Sequence, residues 1–276
     1  MYLFPEIIVW IFLSLAIIII AANKKIWGVF FALSIAFAFF IGILELEGVL
    51  IILAGIAIAY YARKQKGWRL YFLHSLLIVW GLLLAAHILP GFNNLKVIDN
   101  VVTGINSVPF SMSLNIDKPM LIFAFVLLSP NMLVKPSSTN IKTVLTISII
   151  GLISLPLLGY FMGVIKPEMS VPSWIGLFAL NNLLITCVSE EVFFRGYLQN
   201  ILNRYGQFIA LVGSSLLFGL AHFSGGINLI ILATIAGAFY GAIYLSTGRL
   251  YMAIISHFLF NIYHLIFYTY PISNNT

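Results

Sequence analysis

Runs of about 16 to 22 apolar residues recur from one end of this chain to the other, each able or nearly able to cross a hydrocarbon core of roughly 30 Å. Within a bilayer the backbone must satisfy its own hydrogen bonds, so such runs are helices. The solvent for most of the chain is lipid: 62% of its 276 residues are hydrophobic and 8% are charged, against about 25% charged in an ordinary soluble domain. Apolar runs read against polar breaks give ten candidate spans, near residues 5–22, 27–44, 48–62, 70–89, 119–134, 143–163, 174–194, 208–222, 228–246 and 250–269. The expected fold is all-α, a polytopic transmembrane helical bundle of about 8 to 10 spans, multi-pass in the cell membrane.

The formal charge of +6 does not point to nucleic acid, because the fourteen Lys and Arg fall in short connections between spans and not on one face. They alternate. Lys24, Lys25, Arg63, Lys64, Lys66, Arg69, Lys135, Lys142, Arg195, Arg204 and Arg249 fall on one side, and Lys96, Lys118 and Lys166 on the other. The positive-inside rule then puts both termini outside. One cysteine, Cys187, excludes an internal disulfide and any multi-cysteine metal site. The apolar N-terminus has neither a basic leader nor a small-residue cleavage site, so it reads as a retained span.

The longest connection, residues 90–118, mixes Pro, Gly, Asn and Ser with alternating apolar residues. It predicts turns or a short helix at the membrane surface, either a lid over a site or a plain connector. It sits within an N-terminal region, 1–173, that precedes a C-terminal bundle, 174–276, holding nearly every polar group expected inside the membrane.

Residues 183–202 read LLITCVSEEVFFRGYLQNIL, which puts two adjacent carboxylates after an apolar helix. Each carboxylate costs about 2.5 to 3.5 kcal/mol at mid-bilayer on insertion scales, so partners are required. Glu191 and Arg195 are four apart with the acid first, the favourable order for an ion pair along one helical face. Glu190 is turned roughly 100° from that face and needs a different partner. The bland alternative is a helix-end charge cluster that snorkels to the interface. The next span ends with Phe218 and His222 one turn apart, and the last places His257, Asn261 and His264 along one side of an apolar helix. Helix-packing glue accounts for Asn261 and His264 singly. It does not account for the whole collection.

Such a set can hydrolyse an amide in a dry cavity. Glu190 takes a proton from water, His222 orients that water, and His257 with Asn261 stabilises the oxyanion. Alternatively, Glu190, His222 and His257 bind zinc with an open fourth position, although His-Glu-x-x-His is absent. No metal is required on the first reading. Ser189, Ser214, Ser215 and Ser256 lack a nucleophile setting and are expected to bond backbone carbonyls. Cys187 reads as a core residue, and His74 and His87 as helix-packing residues without a visible acid partner. Gly225 and Gly226 break the helix after His222, and Gly237 and Gly241 form a small-xxx-small pair.

Three ordered motifs carry a family likeness: Glu190-Glu191-x-x-x-Arg195 followed by Gly196, then Phe218-x-x-x-His222, then His257-x-x-x-Asn261. They resemble those of the CPBP intramembrane proteases, which include the CAAX prenyl proteases and the Abi-type bacteriocin-processing and immunity proteins. The likeness covers roughly residues 174–265. It implies an intramembrane endopeptidase acting on a membrane-embedded or membrane-anchored protein or peptide. Glu190 and His222 would activate water, His257 and Asn261 would form the oxyanion site, and Glu191 with Arg195 would support them, the C-terminal helices enclosing the catalytic cavity. Members have been labelled metalloproteases, while the glutamate mechanism needs no metal.

The competing reading is a non-catalytic immunity or peptide-binding membrane protein. A proton-coupled transporter fits less well, since no repeat is visible and the polar groups concentrate in one third of the chain. Simple alternation of spans also puts Glu190 near the inner half of the bilayer and His222 near the outer end of the next helix, on the order of 10 Å apart. A shared site then demands a tilted, broken or re-entrant helix, with Gly206 and the Ser224-Gly225-Gly226 turn as the places for it.

Overall fold

The computed structural model describes residues 4–22, 24–133 and 140–274; Lys135, counted above as an inner-side charge, lies outside them. In order the elements are α1 (Ile7–Ala21), α2 (Trp27–Phe40), α3 (Leu46–Ala62), α4 (Trp68–Ala85), β1 (Leu95–Val101), β2 (Phe110–Leu114), α5 (Met120–Leu128) and α6 (Ile141–Phe161). A 31-residue helix follows, α7 (Ile175–Tyr205). The last three are α8 (Gln207–Leu220), α9 (Gly226–Thr247) and α10 (Leu250–Phe267).

Among the described residues, five helical segments are long and apolar enough to cross a membrane: α4, α6, α7, the stretch Phe223–Thr247 that contains α9, and α10. The chain is a membrane protein of several apolar helices. By this criterion five spans stand where 8 to 10 were expected, because α1, α2, α3 and α8 are apolar but only 14 to 17 residues long. At 1.5 Å per residue, the 14 residues of α8 extend about 21 Å, well short of a full crossing.

The chain forms two compact units that interleave in sequence. The first comprises Met1–Val97, Ser113–Leu133 and Leu184–Ser189. Its helices meet through small residues and indole donors: Ser34 Oγ donates to Val9 O at 2.9 Å, and Trp80 Nε1 to Ile51 O at 3.1 Å. Here one expectation is corrected. His87 does have a paired acid, its Nδ1 lying 2.7 Å from Oδ2 of buried Asp117. Those two residues are thirty apart in sequence, beyond any helical spacing rule.

The second unit comprises Ile98–Met112, Val134–Leu183 and Glu190–Thr276. Asn140 opens α6 by accepting from the amides of Lys142 at 3.1 Å and Thr143 at 3.4 Å, a side-chain cap for otherwise unpaired helix donors. A left-handed Gly248 (φ +63°) closes α9, its amide donating to Tyr244 O at 2.7 Å. Helix α9 lies among α6, α8 and α10. On the outer face of α6, Ile149, Ile153 and Leu157 are each more than half exposed. In water such a stripe would promote association, whereas against acyl chains it is the ordinary surface.

Residues 90–118 supply β1 and β2, which pair as a two-stranded sheet, so the short helix expected there gives way to strands. Its tip is tied down. Glu168 Oε1 accepts from the Asn106 amide at 2.9 Å and from Asn106 Nδ2 at 3.0 Å, and Oε2 accepts from Ser107 Oγ at 2.6 Å. Phe110 stacks on Trp174 with ring centres 5.4 Å apart. Burial pushes the Glu168 carboxyl up, but the bonds from Ser107 and Asn106 outweigh it and leave the group below the ordinary carboxylate value of 4.5.

Candidate active site

Helix α7 is not uniformly α-helical. It carries π-helical turns at Asn182–Cys187 and Val192–Gln199, on either side of the α-helical turn Val188–Glu191 that bears both glutamates. Such widened turns occur frequently at functional sites, because the extra residue rotates side chains off their usual faces. The helix also continues well past 194, where the sequence suggested a span end. Its polar second half is buried and partnered: Arg195 Nη2 donates to Gly237 O at 2.9 Å, and Gln199 Nε2 to Gly241 O at 3.0 Å. Asn200 Nδ2 donates to the Tyr244 hydroxyl at 2.8 Å, and Ser214 Oγ to Gln199 Oε1 at 3.2 Å. The glycine pair on α9 thus brings backbone carbonyls within reach of α7 side chains.

That extra length and the turn after it bring the two arms together at the level of Phe194 and Phe218. Gly206 (φ +114°) turns α7 into α8. Phe194 and Phe218 lie equally far from it along the chain, and their rings meet edge-on at 5.1 Å. One turn farther from the pivot on each side come Glu190 and His222, again equidistant from Gly206 along the chain.

Glu191 and Arg195 form the expected pair, Oε1 to Nη1 at 3.2 Å, with both side chains fully buried. The pair has a third member. His257 Nδ1 lies 2.9 Å from the same Glu191 oxygen, and His257 Nε2 lies 3.9 Å from Glu190 Oε2. The histidine is therefore held between the two carboxylates. Its ring stacks on Tyr240 at 4.5 Å and 14° and meets the edge of Phe218 at 5.7 Å. The Arg195 guanidinium lies over the Phe218 ring at 4.5 Å, a cation–π contact inside a low-dielectric core.

His222 closes the other side of Phe218, with ring centres 4.8 Å apart. Its Nδ1 is 2.8 Å from Phe218 O, a carbonyl that only accepts, so this nitrogen carries the proton. In the neutral imidazole Nε2 is then the acceptor. Asn261 Nδ2 donates to Asn182 Oδ1 at 3.1 Å. His264, expected on the same stripe, instead places Nε2 3.1 Å from Thr269 O in the C-terminal segment. Ser189, Ser214 and Ser215 bond carbonyls one turn back, at Ile185, Leu211 and Leu211, while Ser256 Oγ meets Ser148 Oγ at 3.3 Å.

Sequence reasoning passed over Asn182, Gln199 and Tyr240. Asn182 had a signal, an Asn-Asn pair inside an apolar run where each amide needs a partner. Tyr240 had none, since a tyrosine in an apolar helix is ordinary. Among the described residues no group of three or more His, Cys, Asp and Glu is gathered to hold a metal ion.

Residues 172–263, one third of the chain, match the Rce1-like family model, described as type II CAAX prenyl endopeptidase Rce1-like. The matched segment contains all seven named residues of the three motifs, and Gly196. Over this segment the chain is similar to the CAAX prenyl endopeptidases. The match supports a peptide hydrolase, a CAAX-type intramembrane protease in general character, acting on a membrane-associated substrate. Neither the curated proteins nor the solved structures provide a match to the chain.

Proposed function

We propose that this protein cleaves a peptide bond of a membrane-embedded or membrane-anchored protein or peptide at the Glu190–His257 cluster, using water activated by glutamate and no resident metal. The observation that carries this reading is the seating of His257 between Glu190 and Glu191. Geometry supplies the roles. Arg195 pairs with Glu191, and the His257 ring lies between Glu191 Oε1 and Glu190 Oε2. In this reading Glu190 is the base and His257 Nε2–H is a donor.

In the proposed step Glu190 accepts a proton from water as the water oxygen bonds to the scissile carbonyl carbon. The carbonyl π pair moves to oxygen, which His257 Nε2–H and Asn261 Nδ2–H stabilise. Collapse of the tetrahedral intermediate expels the amine, which takes the proton back from Glu190. His222 orients the attacking water through its acceptor nitrogen. Glu191 and Arg195 hold the His257 ring in the orientation that points Nε2–H towards the reaction.

The test is turnover of membrane-anchored peptides, prenylated and unprenylated, by the full chain in proteoliposomes. Glu190→Gln and His222→Ala are each expected to abolish cleavage while the helical content and melting temperature stay near those of the parent. Turnover retained in both variants overturns the proposal. It would restore the binding or immunity reading, which the family match does not favour.

A further inference from the structure

The amide of Asn261 has two orientations that differ by a half-turn, and only one presents Nδ2–H groups where a donor is wanted. In this site the choice is made by Asn182: its Oδ1 accepts from Asn261 Nδ2 at 3.1 Å. Asn182 is 7% exposed. It is also the first residue of the π-helical turn Asn182–Cys187.

That turn explains how Asn182 reaches the site. In a regular α-helix, eight residues at about 100° each would leave Asn182 some 80° around the helix from Glu190. Over the π-helical residues the rotation falls to roughly 85° each, which removes most of that offset. The two side chains then share a face of α7. Both belong to the second unit, as do Asn261 and His257.

We infer that Asn182 is a positioning residue for the reaction: it fixes the Asn261 amide with nitrogen, not oxygen, turned to its partner and to the oxyanion. It does not touch substrate. The inference deepens the proposed function and rests on Asn261 serving as an oxyanion donor. A purely structural role, filling space between α7 and α10, would respond to side-chain volume. The positioning role responds to an acceptor oxygen at Oδ1.

Two measurements on the full chain separate these. The first follows peptide turnover in proteoliposomes for Asn182→Ala, Asn182→Asp, Asn261→Ala and the double alanine variant. Asn182→Ala is expected to lower kcat about tenfold with KM little changed, the size of one misdirected donor. Asn182→Asp, which keeps an acceptor oxygen, is expected to recover most of it, and the double variant to be no slower than Asn261→Ala alone. Equal losses in the alanine and aspartate variants, or additive losses in the double variant, overturn the inference.

The second measurement needs no turnover, so it stands if the peptidase reading fails. Side-chain amide resonances of Asn261 in 15N-asparagine-labelled protein are assigned by their disappearance in Asn261→Asp. In the parent, two separated protons resistant to solvent exchange are expected, with loss of that separation in Asn182→Ala and its return in Asn182→Asp. Asn261 resonances unchanged by Asn182→Ala overturn the inference, whatever the enzyme does.

Discussion

His257 and Glu191 meet at 2.9 Å through Nδ1 and Oε1, and that same oxygen takes Arg195 Nη1 at 3.2 Å. One buried carboxylate oxygen therefore serves a permanent cation and a titratable ring at once. A residue that sequence spacing assigned to an ion pair is also the group that orients a candidate catalytic histidine. Its loss has two consequences that can be read separately.

Glu191→Gln removes the negative charge that Arg195 hydrogen-bonds in the core, which costs about 3 to 5 kcal/mol of stability. It also releases His257, with turnover expected to fall by about a hundredfold or more. Arg195→Met combined with Glu191→Gln removes both charges and is expected to regain much of the melting temperature but none of the turnover. Recovery of activity in the double variant would show that Glu191 serves only the ion pair.

Gly237 tests how closely α9 must approach α7. A Cβ at this position would lie 3.1 Å from Arg195 Nη2, 3.2 Å from Phe218 Cδ1 and 3.2 Å from the Ser215 backbone. Gly237→Ala is expected to cost about 1 to 3 kcal/mol through overpacking, seen as a lower melting temperature. Gly176→Ala has nothing within 4 Å and is the control, expected to melt like the parent.

Tyr240 holds the face of the His257 ring at 4.5 Å. Tyr240→Phe keeps that stacking, and turnover is expected to stay within about threefold of the parent. Tyr240→Leu loses about 0.5 to 1.5 kcal/mol of aromatic contact and lets the imidazole swing, lowering kcat by about tenfold with KM nearly constant. Equal activity of the two variants would dismiss the ring as a positioning element.

The tip of the two-stranded sheet should loosen in acid. The folded state holds the Glu168 carboxyl below its ordinary 4.5. Its contribution is therefore present above the unfolded value and lost as pH falls through the lower folded one. The gap in melting temperature between the parent and Glu168→Gln is expected to be small, since the group is partly exposed, and to close below pH 4.5. A gap that persists unchanged at pH 3 would detach Glu168 from the anchoring of the tip.

Several parts of this protein were legible along the chain because they depend on local spacing. Glu191 and Arg195 pair at four residues, Phe218 and His222 lie one turn apart, and the apolar runs declare helices in lipid. The extent of α7 was not legible. Arg195, Gln199, Asn200 and Arg204 give its second half the hydropathy of a loop, and hydropathy assumes that polar groups go to water. Here Arg195 and Gln199 bond to Gly237 O and Gly241 O, and Asn200 to the Tyr244 hydroxyl, all more than forty residues away.

The sequence by itself determined the solvent, the helical class and the identities of the polar residues that need partners, since these follow from the transfer cost of each side chain and from one-dimensional periodicity. Only the tertiary structure decided who those partners are. It carried α7 to Tyr205, so that Phe194 met Phe218 across the turn at Gly206, and it seated His257 between two glutamates sixty-six and sixty-seven residues away. It also widened the turn at Asn182 so that one asparagine meets another. The physical reason is the same in each case. A buried polar group is stable only against a specific acceptor or donor, and which one lies within 3 Å is fixed by how helices pack, not by their order along the chain.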